Sequence, residues 1–260
     1  MGLRTSYTPG TFSWSDLTTT DQQDAARFYR GLFGWETEDR PVGEGVVYTM
    51  ASVNGHHVAA ISPQPSQQRE AGAPPMWNTY ITVPSADEAL GQARRCGATI
   101  HAPAFDVLDA GRMGVLRDPQ GAYLNVWEAK TNIGAALVNG HGAMCWNELA
   151  SPDPEASASF YASVFGFTAQ AMEGSDPPYL VINRADGHSN GGIRLAASTE
   201  PCYWLVYFGT EDLDASLTAV DELGGDKLAG PIDVWESARF AVVQDPQGAV
   251  FALYSGHFDD

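Results

Sequence analysis

The chain contains FYRGLFGW at residues 28–35 and FYASVFGF at residues 160–167. In both stretches aromatic and aliphatic residues recur at intervals of three and four, which predicts the buried face of a helix. Each helix is expected to end at a glycine, Gly34 or Gly166, because glycine readily adopts the left-handed conformation that terminates many helices. The two stretches therefore predict the same amphipathic helix twice.

The repetition extends over nearly the whole sequence. DPQGA occurs at residues 118–122 and again at residues 245–249, so the copies are 132 residues apart at the helix (160 − 28) and 127 apart at this motif (245 − 118). A repeat of this length indicates two copies of one domain. We place the first domain at residues 10–129, the second at residues 142–258, and an interdomain linker at residues 130–141.

Within each copy the same order of elements is predicted twice. A strand leads to a helix that begins after Asp21 or Asp153, acidic residues suited to an N-cap, and three strands follow. A second strand and a second helix, at residues 86–96 or 213–223, are again followed by three strands. The pattern predicts an α+β fold of four βαβββ units, with helices on one face of mostly antiparallel sheets.

Composition limits the partners that the chain is expected to have. The formal net charge of the 260 residues is −18, and the 14 basic residues are scattered. Nucleic acids and anionic membranes attract positively charged surfaces, so we expect neither as a partner. Arg112 and Arg239 occupy matching positions, and each is expected to pair with a nearby acid such as Asp118 or Asp245.

Cysteine usage and hydropathy indicate a cytoplasmic protein. The three cysteines are an odd number without a CxxC motif, which argues against a disulfide framework and against a cysteine zinc site. No apolar run approaches the ~20 residues that span a bilayer. The N-terminal MGLRTSYTPG lacks the apolar core of a signal peptide and is expected to be a frayed lead-in.

The ordered motifs resemble the vicinal oxygen chelate superfamily, which includes glyoxalase I, extradiol dioxygenases, fosfomycin resistance enzymes and bleomycin-binding proteins. The resemblance rests on the two FY…FG helices, on Gly97 and Gly224 after the second helices, and on both DPQGA turns, and it covers almost the whole chain. The chain is most similar to tandem two-copy actinobacterial proteins labelled glyoxalase/bleomycin resistance proteins or hydroxylases. The resemblance implies two cup-shaped mixed or antiparallel sheets with helices outside and ligands bound in the cups.

The resemblance also implies where metal ligands would lie in each cup. The three positions hold Trp14, Asn78 and Asn125 in the first copy, and Trp146, Leu205 and Ala252 in the second. A register shift of one residue would place Trp77 and Trp204 at the middle position. An indole offers no lone pair to a metal, and amides or alkyl groups are poor ligands. Glu128 falls on the opposite strand face by alternation. We therefore predict no metal and no other cofactor.

Alternation along the strands suggests what the cups contain instead. Asp16 shares a face with Trp14, and Glu148 with Trp146, so these carboxylates are candidate catalytic residues whose pKa an apolar environment would raise. Candidate ligand-binding residues on the same faces are Trp14, Asn78, Tyr80, Asn125, Trp127, Trp146, Tyr207 and Tyr254. Alternatively, the carboxylates lie at the rim and cap a strand or pair with arginines, and the aromatic residues simply fill the cups.

The favoured hypothesis is a metal-independent protein that binds a hydrophobic or aromatic metabolite in a cup, since binding requires only shape and a few polar anchors. The second hypothesis is a metal-free lyase, isomerase or hydroxylase-like enzyme that uses Asp16 or Glu148. A metalloenzyme with unusual ligands such as His57 or His101, and a structural protein with filled cups, remain as alternatives. We expect a small-molecule partner, a monomer or homodimer, and the more polar first cup as the functional one.

Overall fold

In a computed structural model of the chain, which describes residues 2–43, 45–235 and 238–258, each copy of the repeat forms its own eight-stranded sheet. The elements up to the end of the first sheet are β1 (Gly2–Leu3), β2 (Phe12–Thr19), α1 (Gln22–Phe33), β3 (Glu36–Gly43), β4 (Val46–Val53), β5 (His56–Pro63), α2 (Ser66–Glu70), β6 (Met76–Thr82), α3 (Ala86–Arg95), β7 (Thr99–Val107), β8 (Gly111–Arg117) and β9 (Tyr123–Ala129). The remaining elements are β10 (Leu137–Val138), β11 (Met144–Ser151), α4 (Pro154–Phe165), β12 (Thr168–Ala171), β13 (Tyr179–Asn183), β14 (Ser189–Leu195), β15 (Tyr203–Gly209), α5 (Leu213–Glu222), β16 (Asp226–Trp235), β17 (Ala238–Gln244) and β18 (Val250–Ser255).

The two sheets have the same topology. The strand order is β3-β4-β5-β2-β6-β9-β8-β7 in the first sheet and β12-β13-β14-β11-β15-β18-β17-β16 in the second. In each sheet the opening strand of a unit pairs in parallel with the last strand of that unit, and the two opening strands pair antiparallel at the centre. The remaining neighbours are antiparallel. The predicted α+β fold of four βαβββ units in two mixed sheets is confirmed.

Local capping explains where the first helix of each copy begins and ends. The Asp21 carboxylate accepts a hydrogen bond from the backbone N–H of Asp24, and Asp153 caps α4 in the same way through Ala156. Gly34 and Gly166 follow the helices with φ angles of 68° and 74°. Only glycine adopts this left-handed conformation without steric cost, so both predicted helix ends are confirmed.

The sheets pack against each other through the faces that point away from the cups. The Thr79 hydroxyl donates to the Asn147 side-chain oxygen at 2.6 Å. Phe12 lies against Trp204 in the same interface, with ring centroids 4.9 Å apart. Because Thr79 and Asn147 alternate with the cup residues along β6 and β11, the two cups face away from this interface. One hydrophobic core therefore runs through both copies.

The repeated motifs contact each other across the interface between the copies. The Tyr29 hydroxyl in α1 donates to Asp245 Oδ2 at 3.0 Å, and the Tyr161 hydroxyl in α4 donates to Asp118 Oδ2 at 2.7 Å. The other oxygen of each aspartate accepts backbone N–H groups within its own DPQG turn. The FY motif of each copy thus binds the DPQG turn of the other copy.

The matched arginines pair with nearby acids, as predicted, but the suggested partners Asp118 and Asp245 are wrong. Arg112 forms ion pairs with Asp87 and Asp106, and Arg239 pairs with Asp214 and Asp233. Asp118 and Asp245 are only 4 % and 1 % exposed, and their oxygens are occupied by the turn and by the opposing tyrosine. Each arginine instead reaches one acid of a second helix, Asp87 or Asp214, and one acid of the adjoining edge strand, Asp106 or Asp233.

The N-terminus is ordered, so the prediction of a frayed lead-in is wrong. β1 pairs antiparallel with β10 in the segment between the copies, and the Tyr7 hydroxyl donates to the Ala135 carbonyl at 2.6 Å. Leu137 and Val138 are buried. The apolar residues of the segment between the copies form a buried strand, and β1 pairs with this strand. Among the described residues, no helix is long and apolar enough to cross a membrane.

Candidate functional site

The first cup, defined here as the face of the first sheet that carries Trp14, Asp16, Asn78, Tyr80 and Asn125, contains a buried carboxylate network. Its centre is Asp16 on β2, which is 6 % exposed. The hydroxyls of Tyr48 on β4 and Tyr80 on β6 both donate to Asp16 Oδ2 at 2.8 Å. The Asn78 amide donates to Oδ1 at 2.9 Å. Two strands on opposite sides of β2, β4 and β6, therefore position three neutral donors around one carboxylate.

Two effects act on the protonation of Asp16: burial favours the neutral carboxyl, and hydrogen bonding favours the ionised carboxylate. Burial raises the pKa of the Asp16 carboxyl, while the hydrogen bonds from Tyr48, Asn78 and Tyr80 lower it. Every hydrogen-bond partner of the carboxylate donates a proton, as the ionised form requires. The same burial and the Asp16 charge raise the pKa of both phenols well above the usual value, so both remain donors at neutral pH.

The remaining polar groups near Asp16 are largely occupied within the protein. The Trp14 indole donates to the Tyr48 hydroxyl at 3.1 Å, and the Asn78 amide also donates to Thr18 Oγ1 at 2.7 Å. Trp14 and Asn78 stand at two of the positions that the resemblance gives to metal ligands. In this molecule Trp14 orients the Tyr48 hydroxyl, and Asn78 holds the Asp16 carboxylate directly.

Asn125 differs from its neighbours because no described residue hydrogen-bonds its side-chain amide. It lies beside Tyr80 in the parallel ladder of β6 and β9 and is 6 % exposed. The amide is not among the fully buried unpaired atoms, so it keeps some contact with the space inside the cup. The amide is therefore a polar anchor that a bound molecule could satisfy.

Two other residues of β9 have roles set by the strand face on which they lie. Trp127 shares the face of Asn125, but its indole donates to the Asn132 carbonyl at 2.8 Å towards the end of the strand. The Glu128 carboxylate accepts from the backbone N–H of Ala86 at 2.9 Å, at the start of α3. Glu128 therefore lies on the helix side of the sheet, as the alternation predicts.

The second cup, the corresponding face of the second sheet, repeats the network. Burial raises the pKa of the Glu148 carboxyl, and the nearby hydroxyls of Tyr179 and Tyr207 act against this rise; the Trp146 indole donates to the Tyr179 hydroxyl at 2.9 Å. Both copies therefore contain a tryptophan, a tyrosine, a carboxylate and a second tyrosine linked in this order. Unlike Asp16, Glu148 also has a cationic partner, because Arg194 Nε donates to Glu148 Oε1 at 2.8 Å.

The rest of the second cup is apolar. Leu205, Tyr207 and Ala252 form a hydrophobic cluster separate from the main core, and the partly buried residues packed against it are Cys145, Trp146, Tyr203, Phe240, Val242, Val250 and Tyr254. Arg194 is held on its other side by an ion pair with Glu200. The second cup is thus lined mainly by apolar side chains, and its carboxylate is paired with a cation of the protein.

The structure brings the predicted site residues together in two groups. Trp14, Asp16, Asn78 and Tyr80 are joined by hydrogen bonds, with Asn125 adjacent, while Trp146, Glu148 and Tyr207 are joined in the second cup. Trp127 lies two residues beyond Asn125 on β9, and Tyr254 lies two residues beyond Ala252 on β18. The predicted alternative that the carboxylates pair with arginines holds for Glu148; no described cation pairs with Asp16.

The sequence reasoning missed both tyrosines on the outer strands and the arginine. Tyr48 and Tyr179 are 131 residues apart (179 − 48), at matching positions of equivalent strands, so the repeat contained the signal. Arg194 has no counterpart in the first copy. Its role depends on a strand register that only the structure provides.

The residues present do not fit a family-type metal site. Among residues 2–43, 45–235 and 238–258, no group of three or more His, Cys, Asp or Glu side chains could hold a metal ion. His57 Nδ1 is hydrogen-bonded to the Ser52 hydroxyl at 2.9 Å, and the His101 ring packs against Tyr123. Asp16 is surrounded by donors that compete for its lone pairs. A divalent ion needs several anionic or imidazole ligands converging on one point, which neither cup offers.

Sequence and structure comparisons give the family. A model of the Glyoxalase/Bleomycin resistance protein/Dioxygenase superfamily matches residues 11–126 and 143–253. A Mycobacterium tuberculosis protein named "Putative glyoxylase CFP32" is 43% identical over 255 residues, covering 97% of this chain and 97% of its own. The anthracycline biosynthesis protein DnrV of Streptomyces peucetius is 30% identical over 262 residues, covering 96% of this chain and 94% of its own.

Solved structures agree on the fold. The Mn(II)-bound glyoxalase from Novosphingobium aromaticivorans superposes with a TM-score of 0.66 at 17% identity, covering 97% of this chain and 85% of that one. The chain belongs to the glyoxalase/bleomycin resistance protein/dioxygenase superfamily, with two copies of the domain. Members of this superfamily bind small-molecule substrates.

Proposed function

We propose that the chain binds a small aromatic metabolite in the first cup without the aid of a metal ion. The observation that carries the proposal is the buried Asn125 amide, which has no hydrogen-bond partner among the described residues. It lies next to Tyr80 and hence to the Asp16 network. A ligand carbonyl or hydroxyl placed there would hydrogen-bond an amide that no described protein group holds.

The aromatic character of the ligand is supported by the residues of the same face. Trp14, Tyr80 and Trp127 are buried there. Aromatic rings of this kind favour flat apolar ligands, which they contact through offset or edge-to-face packing. The relative named for anthracycline biosynthesis supports the same ligand class, since an anthracycline is a polycyclic aromatic compound.

The second cup is the natural comparison within the chain. Leu205 and Ala252 replace the two amides of the first cup, and Arg194 neutralises Glu148. A cup whose carboxylate is already paired with a cation, and which has no amide without a partner among its described residues, offers a ligand fewer polar anchors. We therefore assign binding to the first cup only.

Titration calorimetry with a panel of polycyclic aromatic hydroxy and carbonyl compounds, carried out after treatment with a chelator, tests the proposal. We expect binding by the wild-type protein and a weakening of about tenfold or more in Asn125→Leu, since about 1.4 kcal/mol corresponds to a factor of ten. Glu148→Gln, the matched control in the second cup, should bind within about twofold of wild type. Failure of the whole panel to bind, or equal binding by Asn125→Leu, would overturn the proposal.

A second candidate function is metal-free acid–base catalysis by Asp16. It is favoured by one observation: this carboxylate is buried without a cationic partner among the described residues, and burial raises its pKa towards the range useful for proton transfer. If the ligand is a substrate, Asp16→Asn should abolish turnover while binding persists. Full turnover by Asp16→Asn would eliminate this candidate and leave the binding function standing.

A further inference from the structure

The two cups differ in one charged position whose location is fixed by strand register. In the second sheet Glu148 pairs with Gly192, and Arg194 follows two residues later on the same face of β14. In the first sheet Asp16 pairs with Ala60, and the residue two further along β5 is Ser62. Ser62 therefore occupies the place of Arg194, and the first cup lacks the guanidinium that the second cup contains.

The consequence of this difference is an unbalanced charge. Glu148 shares its charge with a guanidinium 2.8 Å away, whereas the partners of Asp16 are two phenols and an amide. A buried carboxylate without a cation is costly even when it is well hydrogen-bonded. Oδ1 of Asp16 accepts one side-chain hydrogen bond, from Asn78, and so retains a lone pair for another donor.

The position of the missing guanidinium is open to an incoming group. Ser62 and Asn78 are both partly exposed, while Asp16 behind them is buried. The Ser62 hydroxyl donates to the Leu17 carbonyl at 3.1 Å and therefore does not turn towards Asp16. A cation that entered beside these two residues would reach the carboxylate from the side on which Arg194 reaches Glu148.

We propose that the ligand of the first cup carries a protonated amine, whose ammonium group takes the place beside Asp16 that the Arg194 guanidinium takes beside Glu148. This inference rests on the proposed binding function and specifies its ligand class as cationic aromatic compounds. The ammonium supplies three donors and the positive charge that the cup lacks, while the aromatic body packs on Trp14 and Tyr80. The free Asn125 amide is left to hold a second polar group of the ligand.

Matched pairs of probes separate binding of an aromatic ligand from recognition of its ammonium group. The pairs are 2-(aminomethyl)naphthalene with 2-(hydroxymethyl)naphthalene, and 2-(aminomethyl)anthracene with 2-(hydroxymethyl)anthracene, titrated calorimetrically at a pH where the amines are protonated. For wild type we expect each amine to bind at least about tenfold more tightly than its alcohol, the factor expected of a charge-assisted hydrogen bond in a buried site. Asp16→Asn should reduce this preference to within about twofold.

Ser62→Arg tests the location by giving the first cup the guanidinium of the second. We expect it to lose the amine preference because its own cation occupies Asp16, while Ser62→Met, of similar length but uncharged, keeps that preference. Circular dichroism checks that each variant is folded; if Ser62→Arg is not, the wild-type and Asp16→Asn comparison decides.

The outcomes distinguish the inference from the function on which it rests. Equal affinity of wild type for amine and alcohol, or an undiminished amine preference in folded Ser62→Arg or Asp16→Asn, overturns the cationic ligand and leaves aromatic binding intact. Absence of binding by either member of both pairs overturns both proposals.

Discussion

The hydrogen bonds that cross between the copies predict a large and specific loss of stability in Tyr29→Phe. The Tyr29 hydroxyl is fully buried, donates to Asp245 Oδ2 at 3.0 Å and accepts from the Trp77 indole at 2.9 Å. Phenylalanine keeps the ring in place, including its packing against Trp35 and Phe251. The substitution therefore removes two hydrogen bonds and almost no apolar contact.

The magnitude follows from what each partner loses. Trp77 is 4 % exposed, so its N–H is left buried without an acceptor, which costs about 1–3 kcal/mol. Asp245 loses a donor worth about 1.5–3 kcal/mol for a charged acceptor, but retains the backbone N–H groups of Gln247 and Ala249. Because the two losses share one hydroxyl and the site relaxes, we expect a decrease of about 2–4 kcal/mol in the free energy of unfolding.

Urea unfolding followed by far-ultraviolet circular dichroism and by tryptophan fluorescence measures this change. We expect a lower midpoint with an unchanged m-value, and coincident transitions by both probes since one core runs through both copies. Tyr161→Phe, in which the hydroxyl bridges Trp204 and Asp118, should lose a similar amount. Tyr123→Phe is the control at a 41 % exposed ring and should stay within about 0.5 kcal/mol of wild type. A loss below about 0.5 kcal/mol in both Tyr29→Phe and Tyr161→Phe would refute the crossed hydrogen bonds as a source of stability.

Three further predictions concern the networks and the metal. Gly192→Ala should destabilise the protein by about 2–4 kcal/mol in the same assay, because a methyl group there overlaps the Tyr179 hydroxyl, whereas Gly91→Ala on the open face of α3 should be neutral or stabilising by up to about 1 kcal/mol. Burial raises the pKa of the Asp16 carboxyl above its ordinary value of 3.8, so its contribution to stability is present below that pH and is lost as the pH rises through the folded-state pKa. The unfolding free energy of wild type minus that of Asp16→Asn should therefore fall as the pH rises above about 4, and a rise would contradict the assigned direction. Treatment with a chelator should leave both the unfolding midpoint and the affinity for an aromatic ligand unchanged; a loss that Mn²⁺ or Fe²⁺ restores would contradict a metal-free site.

Features that depend on local sequence were predictable. The N-caps Asp21 and Asp153 and the left-handed Gly34 and Gly166 follow from residue type and position alone, since capping involves neighbours within one turn. The order of strands and helices was also predictable from the sequence, because the βαβββ unit occurs four times and the repeated motifs mark its helix ends and turns. Alternation along β2 and β6 then placed Asp16 and Tyr80 on one face.

Features that depend on contacts between distant segments were not predictable in the same way. The donor to Asp245 is Tyr29, more than two hundred residues away, and sequence proximity suggested an arginine instead. Tyr48 joins Asp16 only because β4 lies two strands from β2 in the curled sheet, and its hydroxyl spans the intervening strand. The N-terminal strand was missed because its pairing partner, Leu137–Val138, lies in a segment interpreted as a linker.

The contrast between the cups also required the structure. The sequence showed that Asn78 and Asn125 of the first copy correspond to Leu205 and Ala252 of the second. It therefore suggested that the first cup is the more polar. It did not show that the Asn78 amide is consumed by Asp16 while the Asn125 amide has no described partner. That distinction depends on side-chain geometry, and it leaves Asn125 as the one amide of the pair that has no described partner.

The most direct test of metal-free binding in the first cup is the nuclear magnetic resonance signal of the Asn125 side-chain amide. The resonance is assigned with Asn125→Leu and followed in chelator-treated protein during titration with 2-(aminomethyl)naphthalene. We predict that it shifts with the same saturation curve as calorimetry gives, while the Asn147 amide, in the interface behind the cup against Thr79, does not. Saturable binding that leaves the Asn125 resonance in place, or that appears only after a divalent metal is added, would contradict the account.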